Sequence, residues 1–241
     1  MVTDSIIAIT KTFAEQVGAL QFPAPVSYCY NPLDYAWETH RQYLERFAGQ
    51  GQVLLLGMNP GPFGMAQTGV PFGSIPAVRD WMQLDGSRIG SPPRTHPKRP
   101  VLGFNCRREE PSGKRLWGLM HHHFPNPQDC FRHFLVMNFC PLVFMAESGA
   151  NLTPDKLRGP TFVNLQRLCS EALTTMIGLL QPRAVVGIGN WAKSQLLANA
   201  PGYVVSQIPH PSPANPQANR DWAGQARSAL VRAGLWPPMS A

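Results

Sequence analysis

Four short runs, spaced by helix-length stretches, limit this chain to few architectures. They are Gln52 to Leu56, Phe134 to Met137, Ala184 to Gly189 and Tyr203 to Ile208. Runs as apolar as Val53-Leu54-Leu55-Leu56 read as buried strands. Helices are expected over Asp4 to Leu20, Tyr35 to Phe47, Ile75 to Leu84 and Gly113 to Phe124, then over Phe162 to Leu180, Trp191 to Ala198 and Pro216 to Gly234. In the first of these, Ile6, Ile7, Ile9, Phe13 and Val17 recur near helical spacing. Strands alternating with helices imply an α/β fold, with a mostly parallel sheet covered on both faces. No repeat, linker or low-complexity segment interrupts the 241 residues, which suit one domain.

Parallel strands end at one common edge, where open α/β sheets bind ligands. Asn59 follows the first strand, Asn138 ends the second and His210 follows the fourth. Asn59 stands in Gly57-Met58-Asn59-Pro60-Gly61-Pro62-Phe63-Gly64, a loop stiffened by proline and stripped of bulk by glycine. His210 stands in the Pro-framed His210-Pro211-Ser212-Pro213. An asparagine cannot take a proton as a carboxylate does, but its carbonyl can orient a water molecule. Asn138 carries a donor and an acceptor side by side, the complement of the N3–H and O4 of uracil. His210 can donate to an oxygen that gains charge as a leaving group departs. Together these roles fit hydrolysis of an N-glycosidic bond, and Phe72 in the same loop could stack on a base.

The formal charge is +7, and much of the excess falls between Gly86 and Arg115. There Arg88, Arg94, Lys98, Arg99, Arg107, Arg108, Lys114 and Arg115 face only Glu109 and Glu110. Such a segment, rich in Pro and Gly, is expected to be mobile and to suit phosphate. Five scattered cysteines without a C-x-x-C pair indicate neither a disulfide framework nor a metal cluster. His121, His122 and His123 point about 100° apart on a helix and cannot chelate together. Gly187-Ile188-Gly189-Asn190 reads as a tight turn. Without a leader pattern or a membrane-length apolar run, a reduced intracellular setting is expected, cytoplasmic in a bacterium or nuclear in a eukaryote.

The stretch from Gly57 through Met65-Ala66-Gln67-Thr68-Gly69-Val70-Pro71-Phe72-Gly73 resembles the first motif of the single-strand-selective monofunctional uracil-DNA glycosylases. His210-Pro211-Ser212-Pro213, with Asn215-Pro216-Gln217-Ala218-Asn219, is similar to their second motif. The resemblance extends to His96 through Gly103, Asn138 through Leu142 and Tyr35 through Glu38. It runs from about Ala24 to the C-terminus and leaves about the first 22 residues uncovered. It implies a three-layer α/β/α sandwich on a central four-stranded parallel sheet. It also implies a monomer that acts on DNA, single- or double-stranded, with no cofactor, no metal and no membrane. By position, Asn59 is the water-positioning residue, His210 the catalytic donor, Asn138 the pyrimidine reader and Phe72 the stacking ring. Met58, Gly61 and Phe63 would line the pocket, Gly61 leaving room near C5 of the base. Pro211, Ser212, Pro213, Asn215, Gln217 and Arg220 would enter the duplex, while Lys98 and Arg99 hold phosphates. Implied substrates are uracil, uracil oxidised at the C5 methyl and deaminated purines, in no fixed rank. Neither motif contains lysine, so Schiff-base chemistry is not expected and the product is an intact abasic site. A mismatch-directed uracil/thymine glycosylase and a damaged-DNA-binding protein without turnover stay open as alternatives.

Overall fold

A computed structural model describes residues 2–216 and 218–238. In chain order its α-helices are α1 (Val2–Gly18), α2 (Pro32–Tyr35), α3 (Trp37–Phe47), α4 (Met65–Thr68) and α5 (Pro111–His123). They continue with α6 (Pro127–His133), α7 (Pro160–Leu180), α8 (Asn190–Asn199) and α9 (Ala218–Arg232). The strands are β1 (Tyr28–Tyr30), β2 (Val53–Gly57), β3 (Phe134–Asn138), β4 (Val143–Met145), β5 (Asn151–Leu152), β6 (Ala184–Ile188) and β7 (Val205–Ile208).

The central sheet has four strands in the order β3-β2-β6-β7, all parallel. Every residue of β2 is buried, so helices cover both faces of the sheet. Leu54, Leu55 and Leu56 are at most 1% exposed, and burying each is worth about 1.5–3 kcal/mol. The pairing register sets Gly57 beside Asn138, Leu56 beside Gly187 and Ile188 beside Ile208. The carboxyl ends of all four strands therefore share one edge. The chain leaves β2 for β3 on one side and later places β6 on the other, which opens a crevice at that edge.

Besides the short helices α4 and α6, which went unexpected, and a non-helical Asp221 inside α9, three features depart from the sequence expectation. The helix expected over Tyr35 to Phe47 is two helices broken at Ala36, whose φ −113° and ψ 25° are not helical. Asn31 caps α2 by accepting from Leu33 N at 3.2 Å, and the break frees Tyr35 O to accept from Gly90 N at 2.8 Å. The segment expected over Ile75 to Leu84 is a π-helix over Pro76–Trp81, in which Met82 N donates to Ala77 O at 2.8 Å. A second sheet, β1-β4-β5, is antiparallel and went unexpected because its strands are only two or three residues long.

The small sheet organises the basic stretch. Tyr30 on β1 donates its hydroxyl to Arg99 O at 2.8 Å and accepts from His96 N at 2.7 Å. Arg94 lies over the Tyr28 ring, and Arg99 Nε donates to Gly149 O at 3.1 Å. The segment is irregular, as expected, but tethered rather than loose. Among the described residues no helix is long and apolar enough to cross a membrane.

Candidate active site

The crevice holds a small cavity of ≈ 40 Å³ lined by Asn59, Pro60, Gly61, Met65, Phe72, Glu110, Asn138 and His210. Residues far apart in sequence meet because three parallel strands end there.

Asn59 is fixed in one sense. Its Nδ2 donates to Leu142 O at 3.1 Å and to Pro60 O at 3.2 Å. With the amide nitrogen committed, Oδ1 is the end left to accept from a ligand or water. His210 is fixed as well. Ser212 N donates to its Nδ1 at 3.1 Å, and a backbone N–H can only donate. Burial pushes the ring's pKa below its ordinary value, so the neutral form dominates near pH 7 with its proton on Nε2. The loop around it is braced. Asn215 Nδ2 donates to His210 O at 3.1 Å, and Trp222 Nε1 donates to Pro209 O at 2.8 Å. Arg115 on α5 reaches across to Pro211 O at 2.8 Å and Asn219 Oδ1 at 2.9 Å.

Phe72 has φ +56°, a left-handed conformation that costs a side-chain-bearing residue about 1 kcal/mol or more. The surroundings impose it. Trp117 Nε1 donates to Pro71 O at 3.1 Å, Gly73 N donates to Val70 O at 2.8 Å, and Gly113 packs directly beneath Phe72 O. That strain delivers the ring to the cavity wall, its centroid 6.3 Å from that of His210. Asn138 offers Nδ2 to Met65 Sδ at 3.4 Å, while its Oδ1 is buried without a hydrogen-bond partner. A buried acceptor left unpaired costs about 1–3 kcal/mol, which a ligand N–H would recover.

Gly57 makes this wall possible. A Cβ there would strike the Phe72 ring and lie 2.6 Å from Asn138 Oδ1. Gly57→Ala is therefore expected to push both walls inward and to slow the reaction at this site about 100-fold, with a melting temperature lower by roughly a few degrees from overpacking. A rate near that of the parent protein would show that the walls can yield.

The structure does not bring every expected residue to the cavity. Met58 is half-buried outside the lining, its carbonyl accepting from Cys140 N at 2.9 Å, and Met65 supplies the methionine of the wall. In the extended chain leaving β2, Gly57 and Asn59 share one side and Met58 takes the other. Phe63 is also outside, under the guanidinium groups of Arg108 and Arg99, 4.1 and 5.3 Å from its ring centre. Lys98, Pro213 and Arg220 are exposed, Ser212 and Asn215 are partly buried and Pro211 is buried. Gln217 lies outside the described residues. Lys98 and Arg99 border the first motif, because Gln67 Nε2 bridges Pro62 O and Pro100 O at 2.9 Å each.

Three wall residues were not among those expected from sequence: Pro60 and Met65, which stand within the first motif, and Glu110. Glu110, just ahead of α5, sends its carboxyl into the space that side chains at Gly61 and Gly64 would fill. In the sequence it is one acid within a basic run. Only the bare glycines opposite hinted at a neighbour.

The Uracil DNA glycosylase superfamily model matches residues 45–231. The single-strand selective monofunctional uracil-DNA glycosylase of Rattus norvegicus is 49% identical over 227 residues, covering 92% of this chain and 81% of that protein. The Bos taurus protein of the same description is 46% identical over 228 residues, covering 92% and 84%. The crystal structure of Pedobacter heparinus SMUG2 aligns with a TM-score of 0.64 at 15% identity, over 93% of this chain and 94% of that one, a likeness of fold. The chain belongs to the uracil DNA glycosylase superfamily, among its single-strand selective monofunctional uracil-DNA glycosylases.

Proposed function

We propose that this protein repairs DNA by hydrolysing the N-glycosidic bond of uracil, and of uracil oxidised at C5, in single and double strands. One observation carries the reading: in a single cavity, Asn59 presents a fixed acceptor and His210 a fixed donor.

The N1–C1′ bond breaks and its electron pair stays with the base. Charge gathers on the base oxygen O2, where His210 Nε2–H stabilises it. Water held by Asn59 Oδ1 adds to the electron-poor C1′, and the proton it sheds passes through solvent to the base anion, leaving a neutral free base and an abasic sugar. Asn138 accepts from N3–H through the unpaired Oδ1 and donates to O4, while Phe72 stacks on the ring for about 1–3 kcal/mol. Reaching this cavity requires flipping the base, which costs a few kcal/mol and least where it is unpaired. Single strands and mispairs are accordingly preferred. Lys98 and the exposed Arg220 beyond the second motif hold backbone phosphates, so affinity falls as salt rises.

End-labelled oligonucleotides carrying one uracil, single-stranded or opposite guanine, test the reading when incubated with the protein and a chelator. Strand breaks are expected only after hot alkali, faster for the single strand. Breaks without alkali would indicate a lyase or nuclease. No breaks with or without alkali would leave binding without turnover.

A further inference from the structure

Glu110 is the one acidic side chain in the cavity wall, and the mechanism above does not use it. Its carboxyl lies against the first motif: Cδ is 2.8 Å from where a Cβ on Gly61 would stand, and Oε2 is 2.6 Å from that of Gly64. The backbone N–H groups of Phe63 and Gly64 lie beside the carboxyl and favour its charged form, against the larger effect of burial. Oε2 is nonetheless buried with no partner. A buried polar atom left unpaired beside a ligand cavity marks a contact that the ligand completes.

The edge it meets follows by elimination, on the reading given under the proposed function. His210 takes O2 and Asn138 takes N3–H and O4, while Phe72 covers a face. The in-plane edge left over is C5, and the wall left over is Pro60, Gly61, Met65 and Glu110, of which Glu110 alone carries a polar side chain. We propose that Glu110 is a specificity-determining residue, whose Oε2 hydrogen-bonds an oxygen attached to C5 of the flipped uracil and so favours C5-oxidised uracil over uracil.

Burial pushes this carboxyl up to about 7, so near neutrality much of it keeps its proton and Oε2 can donate. Around it stand Arg99 and Arg108 on Phe63, Glu109 paired with Lys114 at 3.3 Å, and His210 across the cavity. Among the described residues Glu110 itself forms no ion pair. A formyl oxygen at C5 only accepts, so it needs the protonated acid. A hydroxymethyl group can accept or donate, and tolerates either form. Glutamine mimics the acid form: its carbonyl faces the Phe63 and Gly64 N–H groups and its NH₂ stands where Oε2–H would.

The test compares single-turnover rates of the full chain on oligonucleotides carrying uracil, 5-hydroxymethyluracil or 5-formyluracil. The quantity read is each oxidised base's rate relative to uracil for the same protein. Glu110→Ala is expected to lower the formyluracil ratio about tenfold or more, and Glu110→Gln to keep it within about threefold. Between about pH 6 and 8 the parent protein's formyluracil ratio should fall as the carboxyl ionises, relative to that of Glu110→Gln. The proposal is overturned if Glu110→Ala leaves the ratio unchanged, or if both variants lose all substrates in proportion, as a mere brace for the loop would dictate. A parent protein that leaves uracil itself intact overturns the underlying reading, and is seen before any variant is compared.

Discussion

Asn59→Ala is expected to lower the single-turnover rate of uracil excision by about 10²–10⁴-fold while DNA affinity changes little. The side chain has no proton to give or take that would drive bond cleavage. What it supplies is direction, because Nδ2 is tied to Leu142 O and Oδ1 is left for water. An alanine keeps the Pro60-Gly61-Pro62 backbone yet leaves the water unoriented, so the loss falls on the chemical step. Rapid-quench kinetics with excess protein would read the rate, and fluorescence anisotropy the affinity. A rate within a few-fold of the parent protein's would remove Asn59 from the mechanism.

His210→Ala is expected to cost about 10²–10³-fold, the usual effect of deleting one donor aimed at developing negative charge. Acid should reproduce part of this loss. The ring's pKa is depressed by burial, so its neutral form persists below the ordinary value near 6.5. When the ring does take a second proton, Nδ1–H faces the N–H of Ser212 and the 3.1 Å contact that orients the ring is lost. The rate of the parent protein should therefore decline only on acidification below pH 6.5, and His210→Ala should lack that decline. An acid decline that persists in His210→Ala would assign it to another group.

What could be read from sequence was what a strand end enforces. Asn59, Asn138 and His210 were legible as a set because parallel strands share an edge, and Phe72 and Gly61 came with their motif. The pocket walls were less legible. Met58 and Met65 are both first-motif methionines, and only the direction of the chain beyond β2 decides which one faces the cavity. Glu110 was hidden because its role depends on two bare glycines nearly fifty residues earlier in the chain. The strands β1, β4 and β5 are too short for any periodicity to register. Likewise, the break at Ala36 follows from contacts with the Gly90 region that no local pattern records.

The start of α5 touches each part of the site: Glu110 lies on the first motif, Gly113 under Phe72, and Arg115 across to Pro211 and Asn219. Six consecutive residues thus act as a spacer bar between two loops that are otherwise about 140 residues apart in the chain. Such a bar has a fixed length and a fixed phase. One residue added between Glu110 and Arg115 would rotate one grip about 100° from the other and release a loop. The same addition near Ser91, in irregular chain, would cost little beyond about 1 kcal/mol of loop entropy. Variation in length is therefore tolerable upstream of this bar and intolerable within it.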